Sequence, residues 1–469
     1  MNNRHLLLML LVALGGCSLA PAYQRPAAPI PAEWPATAKP AAQAVQATAA
    51  QPDWQAYFPD PRLQALIAAA LEHNRDLRIA TARIAEARAQ YGIQQAERLP
   101  GLNLNASRTA SLTPASTSLT GRPYQAQRYD VNASLMSFEL DFWGRVRNLN
   151  EAAKASYLAT EAAQRVFRLS LIADVANAYL SVLELQQRGK LATDTAEGRG
   201  VMRDLIARRR EVGVASELDA LQAEGNYQAA RAAQADLQRQ LAAAENLLTQ
   251  LVGNMPADLP AGRELEHQDI PANLIAGLPG EVLLQRPDVL AAEQRLIAAN
   301  ANIGAARAAF LPRISLTGSF GTASRQLNGL FNAGSDAWSF QPALTLPLFD
   351  AGRTAANVDV AEARKVIAVA EYEKTLQQAF REVADLLAAR EQTAVQLTAQ
   401  QANAAAQHRR AQLVEARYRA GVASHLELLD AQRDDFAAAQ AELQVKRAQL
   451  ATATQLYKAL AGEQAEAAR

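Results

Sequence analysis

The chain has 469 residues, 49% of them hydrophobic, with 47 basic residues balanced by 47 acidic ones. That apolar content is enough for a sizeable core and excludes disorder as a whole. The cancelled charge leaves no field that would gather nucleic acid or acidic substrates.

The first residues read as an address. Arg4 and His5 precede an unbroken apolar run from Leu6 to Leu14, which ends in Gly15, Gly16 and Cys17. A run this short is well under the roughly 20 residues a helix needs to cross a bilayer, so residues 1–16 are predicted to be a secretory signal peptide. Leu14-Gly15-Gly16-Cys17 resembles the lipobox of bacterial lipoproteins. That resemblance implies lipidation of Cys17 as the mature N-terminus, and Ser18 in the next place implies sorting to the outer membrane. Cys17 is the only cysteine, which excludes an internal disulfide. Several acyl chains would hold the protein to outer-membrane lipid where one holds marginally. Residues 17–61 follow as an extended tether, because Pro21, Pro26, Pro29, Pro31, Pro35 and Pro40 are spaced too closely for a helix or a central strand.

Beyond the tether the sequence is written twice. Leu99-Pro100 recurs as Leu311-Pro312, and the surroundings of Asp76 and Arg83 recur around Asp288 and Arg295. Gly144-Arg145 recurs as Gly352-Arg353, and Gly213-Val214-Ala215-Ser216 returns as Gly421-Val422-Ala423-Ser424. The spacing between copies shortens by four residues between Pro100 and Gly144, which reads as a longer loop in the first copy. The copies are placed at 62–253 and 280–462, with a linker at 254–279 and a tail at 463–469.

Each copy begins with helical segments, at about 62–98 and 280–310, where Ala, Leu, Ile and Arg recur at helical spacing. Two strand-like segments come next. Leu102, Leu104 and Ala106 alternate with Asn103, Asn105 and Ser107, and Ile314, Leu316 and Gly318 alternate with Ser315, Thr317 and Ser319. The return strands are expected at Tyr129–Leu140 and Trp338–Phe349. Proline-free stretches of very long helix follow, at about 145–211 and 353–420. At 1.5 Å per residue each would run on the order of 100 Å. Ile172, Val175, Tyr179 and Val182 share one helical face, as do Phe380, Val383 and Leu387, while Leu443, Leu450 and Tyr457 keep heptad spacing. The abundant alanine suits either close helix packing or helix propensity.

Alternating strands of about 11 residues have the pattern and length of membrane-spanning β-strands. Four of them leave two open edges whose unpaired backbone groups lipid will not tolerate, so other copies of the chain must close the sheet. Two copies would give a barrel filled by its own side chains, whereas three give twelve strands and a lumen. The predicted fold is therefore an α+β membrane protein, with four strands per chain completing a twelve-stranded trimeric β-barrel and long helices continuing it.

The lipobox, the Pro21-Ala22-Tyr23-Gln24-Arg25-Pro26 segment and both Gly-Val-Ala-Ser turns are similar to those of the TolC-type outer membrane factors, as are the Phe142-Trp143-Gly144-Arg145 and Pro347-Leu348-Phe349-Asp350-Ala351-Gly352-Arg353 junctions. The match is closest to the lipoprotein branch that serves multidrug efflux pumps of the resistance-nodulation-division type. The resemblance implies a homotrimer with its barrel in the outer membrane and an α-helical barrel in the periplasm. It also implies a periplasmic adaptor protein, an energy-supplying inner-membrane pump and passive export of drugs or other toxic small molecules. The outlet of a type I protein secretion system and a structural periplasm-spanning lipoprotein are the alternatives, and a scaffold has no use for strands of bilayer length.

In the family the two turns meet the adaptor, which here marks Gly213, Val214, Ala215, Ser216, Gly421, Val422, Ala423 and Ser424. Acidic residues just past the second turn line the family's closed aperture; by position these are Glu427 and Asp430, with Asp219 and Tyr418 nearby. The same residues also read as helix caps: Gly213 and Gly421 suit a C-cap of positive φ, and Ser216 with Asp219 and Ser424 with Glu427 suit capping boxes. Some relatives carry a basic residue where this chain has Ala423, which leaves Arg417 and Arg419 as substitutes. The histidines are dispersed, and His425 reads as a solvated helix residue. No catalytic, metal or cofactor constellation is expected.

Overall fold

The computed structural model describes residues 18–35, 53–271 and 283–460, so Cys17 and the C-terminal tail lie outside the described residues. Two compact units are woven from both halves of the chain. One takes the residues up to Ala27 with Arg83–Glu161 and Ala291–Tyr372; the other takes Ala28–Ala82, Ala162–Leu290 and the chain from Glu373 onward.

In chain order the helices are α1 (Trp54–Tyr57), α2 (Pro61–His73) and α3 (Arg75–Ala96), then strands β1 (Leu102–Thr113) and β2 (Tyr124–Glu139). The long helix α4 (Arg145–Glu211) and α5 (Glu217–Val252) complete the first round. The second has α6 (Pro287–Ala308), β3 (Arg313–Ser324), β4 (Asp336–Thr345), α7 (Arg353–Arg419) and α8 (His425–Leu460). The order repeats, as the sequence predicts.

The first unit holds an antiparallel sheet in the order β1-β2-β3-β4. Paired residues share a face. Leu104 pairs with Ala133, Ala133 with Phe320, and Phe320 with Trp338, which makes one face apolar. These side chains are open in the single chain, with Leu104 80%, Phe320 68% and Trp338 75% exposed, as a lipid-facing surface requires. The opposite face is polar: Asn105 Nδ2 donates to the Ser134 hydroxyl, and the hydroxyls of Ser319 and Ser339 bond each other, both at 2.7 Å. Gly321 permits one close approach, since a Cβ there would fall 2.0 Å from the Val131 carbonyl oxygen.

The greater length of the first copy falls in a strand, with a shorter junction after it offsetting part of the difference, which corrects the expectation of a longer loop. β2 has 16 residues and β4 has 10. Pairing of β2 with β3 jumps from Leu135 opposite Gly318 to Phe138 opposite Leu316, and Ser137 takes φ 47° at that bulge. The turns at 114–123 and 325–335 are nearly equal. β4 also stops earlier than its alternation suggests: Leu346 and Leu348 continue the pattern, but pairing ends at Thr345, opposite Arg313, where the partner strand β3 begins.

Helices of this unit approach closely through alanine. Ala152 and Ala155 of α4 pack against Ala298 and Ala301 of α6, so close packing is one use of the abundant alanine. The start of the tether is pinned to the same helices. Ser18 donates to Asn148 Oδ1 at 2.8 Å, Asn300 Nδ2 donates to the Pro21 carbonyl at 2.8 Å, and a Cβ at Gly304 would meet the Ala20 nitrogen at 2.6 Å. Arg25 then grips Glu293 with two bonds of 2.7 Å, and the Tyr23 hydroxyl adds a third at 3.0 Å. Glu293 is buried, and this fork supplies its charge with partners.

The second unit carries the larger core. Tyr57 stacks on Tyr457 at 4.6 Å, and Trp34 on Phe380 at 5.0 Å. Val175, Tyr179, Val383, Leu387, Leu443, Leu450 and Tyr457 are all buried, as their helical spacing predicts. Fully buried Asp60 caps α2 by accepting from the Arg62 N–H at 2.8 Å, and it also accepts from the Tyr179 hydroxyl and the Gln268 amide. Trp54, Tyr57, Phe58 and Asp60 therefore belong to the core, although the composition reads as tether up to residue 61. The predicted first helix is broken at Asn74, whose side chain accepts from the Leu77 N–H and donates to the Leu251 carbonyl, ending α2 and capping α3. Pro287 opens α6 at its first position.

Candidate functional site

The two Gly-Val-Ala-Ser turns reverse the chain by the same geometry. Gly213 and Gly421 both take φ 75°. At the first turn the Gly213 N–H donates to the Arg210 carbonyl and the Val214 N–H to the Arg209 carbonyl. At the second, Gly421 donates to Tyr418 and Val422 to Arg417 in the same pattern. These bonds satisfy the last carbonyls of α4 and α7 and fix where each helix turns back. The apolar side chains at the turns are left open, with Val214 at 74% and Val422 at 64% exposure.

The helices that leave the turns begin differently. Ser216 and Asp219 form the full capping box: the Ser216 hydroxyl accepts from the Asp219 N–H at 3.1 Å, and Asp219 accepts from the Ser216 N–H at 3.1 Å. The Ser216 hydroxyl and N–H together hold the Asp219 carboxyl below the usual carboxylate range. The second box is only half made. Ser424 accepts from the Glu427 N–H at 3.1 Å, but the Glu427 carboxylate turns to Arg417, which lies 3.1 Å away on the preceding helix. A nearby guanidinium outbids a backbone N–H for an ionised oxygen.

Arg417 also donates to the Val422 carbonyl at 3.3 Å and so braces the turn itself. Of the two arginines expected as substitutes for a basic residue at Ala423, Arg417 is paired with Glu427 across the turn, while Arg419 is paired with Glu415 on its own helix. Asp430 lies 3.3 Å from Arg433, which also reaches Asp434. Both acidic residues therefore meet a cation within the chain. Arg433 is not singled out by sequence reasoning, although its i,i+3 spacing from Asp430 is a readable signal.

Tyr418 packs against the buried cluster of Ala411, Val414, Leu428 and Ala431, with its ring 5.8 Å from that of His425 and its hydroxyl at 3.5 Å from an Arg209 nitrogen. His425 is not the solvated residue the sequence suggests. Both its ring nitrogens are shut off from solvent without a hydrogen-bond partner. Burial pushes the imidazole below its ordinary pKa, Asp219 opposes that shift and Arg209 adds to it. The structure thus brings Tyr418, His425, Arg209 and Asp219 together from both repeats, and places Glu427 with Arg417 and Asp430 with Arg433 along the helices beyond the second turn.

Strands of bilayer length with one apolar face, carried by proline-free helices that turn back at two matching tips, define a channel-forming outer-membrane protein. The chain belongs to the outer membrane efflux protein family, whose model matches residues 66–254 and 278–462. It is 46% identical over 435 residues to the outer membrane protein OprJ of Pseudomonas aeruginosa, covering 92% of this chain and 89% of that one. It is also 46% identical to the toluene efflux pump outer membrane protein TtgF of Pseudomonas putida, over 98% of this chain and 97% of its relative. Among solved structures it is similar to the open state of the MtrE outer membrane channel of Neisseria gonorrhoeae, with TM-score 0.85 and 38% identity over 95% of this chain and 98% of that one. The protein is an outer-membrane channel of efflux.

Proposed function

We propose that three copies of this chain form one export duct, in which twelve strands close a barrel through the outer membrane and the long helices continue it through the periplasm. The carrying observation is the sheet itself: β1 and β4 are edges, and both border an apolar face exposed in the single chain. Unpaired backbone groups cost several kcal/mol each in lipid, so edge joins edge between copies. Cys17 carries the acyl anchor. The apolar tips at Gly213–Ser216 and Gly421–Ser424 take the adaptor, and an inner-membrane pump supplies the energy. Rings of Glu427 and Asp430, with Asp219 and Tyr418 beside them, form the periplasmic aperture. The duct catalyses nothing.

The likeness to a toluene efflux pump component favours apolar toxic small molecules over secreted proteins as cargo. Mass measurement of the purified protein in mild detergent should give a trimer, and a stable folded monomer would overturn this reading. Deleting the gene should raise sensitivity to organic solvents and hydrophobic drugs without changing the set of secreted proteins.

A further inference from the structure

The polar face of the sheet is uncharged along most of its length. Its inner half presents Asn103, Asn105, Thr317, Ser319, Ser339 and Gln341, which pair among themselves and with other small polar groups. Only Arg128 and Asp130 bring charge to this face between its two ends, and they cancel each other: Arg128 Nε lies 2.8 and 2.9 Å from the two Asp130 oxygens. At the inner end Glu139 is held by Arg145 and Arg313, each within 2.7 Å. Apolar residues alternate with this face and point to lipid, so in the trimeric duct proposed above the neutral face lines the lumen.

We propose that the membrane section of the duct beyond the Glu139 cluster at its inner end is charge-indifferent, a wall of hydroxyls and amides that passes cationic, anionic and neutral solutes alike, with Arg128 as the residue that keeps it so. Selectivity in a wide pore needs rings of unbalanced fixed charge. Three Arg128–Asp130 pairs form a ring of zero net charge, and the field of each pair is that of a dipole, which falls off faster with distance than the field of a lone charge. Losing Arg128 alone would leave three carboxylates at one level of the lumen. Discrimination by charge then belongs to the pump, to the acidic tips and to the charged inner end of the barrel, and the span beyond imposes none on cargo already committed to export.

The test uses Ser107→Cys, which lies directly opposite Asp130 in the register. The trimer in liposomes is labelled with a cationic and an anionic methanethiosulfonate, and the ratio of the two rates is compared with that for a free thiol. The ratio at Ser107→Cys should match the free thiol within about twofold, and adding Arg128→Gln should shift it at least about threefold toward the cationic reagent, as expected for an unbalanced charge within one Debye length. Where Arg128→Gln fails to assemble, Asp130→Asn should shift the ratio the other way. A parent ratio already displaced by threefold, or no response to either change, overturns the proposal. Phe320→Cys separates this from the duct reading, because labelling there by aqueous reagents while Ser107→Cys stays silent would reverse the two faces and sink both.

Discussion

Glu427 and Arg417 meet at 3.1 Å across the second turn, so that the first turn of α8 is tied to the last turn of α7. An exposed pair of this kind contributes at most about 1 kcal/mol to stability, and at the proposed aperture its larger effect would be on charge. With three copies around one axis, Glu427→Ala together with Asp430→Ala should weaken block of single channels by divalent or trivalent cations, whereas Arg417→Ala should strengthen it by freeing Glu427. Both changes break the same tie, so loosened tips alone would move them in one direction. Block that is equal in all three proteins would leave capping as the whole role of Glu427.

Gly213 and Gly421 are needed for backbone shape alone. Nothing lies within 4 Å of where a Cβ would be placed, yet both take φ 75°. Replacing either with Ala should cost about 1 kcal/mol, confined to its own turn, while Asn, which tolerates this region, should cost less. Faster amide hydrogen exchange at the altered turn, with the other turn unchanged, is the measurement. Exchange rising equally at both turns would show that the effect is not local.

The grip of Arg25 on Glu293 makes a different prediction. Glu293 has a side chain 7% exposed, against 48% for Arg25, so removing the arginine strands a buried carboxylate. Arg25→Ala should release the N-terminal segment and make it more sensitive to limited proteolysis, whereas Glu293→Gln, which keeps hydrogen-bonding groups without the charge, should do so less. If both variants are cut at the parent's rate, the bonds from Ser18, Asn300 and Tyr23 are sufficient to hold the segment.

Architecture was legible in this sequence because it is periodic and duplicated. The Gly-Val-Ala-Ser turns, the alternating strands and the buried faces around Val175, Val383 and Leu450 all follow from spacing. What spacing hid depends on contacts between distant segments. Extra residues placed in a strand or in a turn change the offset between repeats equally, so the sequence cannot separate the two. Glu427 matches the capping pattern as well as Asp219 does, and only the arrival of Arg417 diverts it. His425 looks solvated because its surroundings include the Tyr418 ring and the charge of Arg209, 216 positions earlier in the chain. The pinned start of the tether was hidden for the same reason, since its partners Asn148, Glu293 and Asn300 lie far along the sequence.

The shut-off imidazole of His425 makes the tips sensitive to acid. Its pKa in the packed tip lies below the ordinary 6.5, chiefly through burial, with Arg209 adding and Asp219 opposing. A loosened tip returns the ring to its ordinary value and so takes up a proton first. The packed arrangement therefore keeps its full stability above about pH 6.5 and loses it progressively as pH falls toward the depressed value. Asp219, also held below its ordinary value of 3.8, favours the packed tip until far lower pH and does not act in this window. Hydrogen exchange at residues 417–430 should accelerate between about pH 7.5 and 5.5, after correction for the intrinsic pH dependence of exchange. His425→Leu fills the same apolar site without a titrating group and should flatten that response, leaving the exchange at the higher pH nearly unchanged. A leucine variant that keeps the acid response of the parent would assign it to other groups at the tip and leave His425 as packing alone.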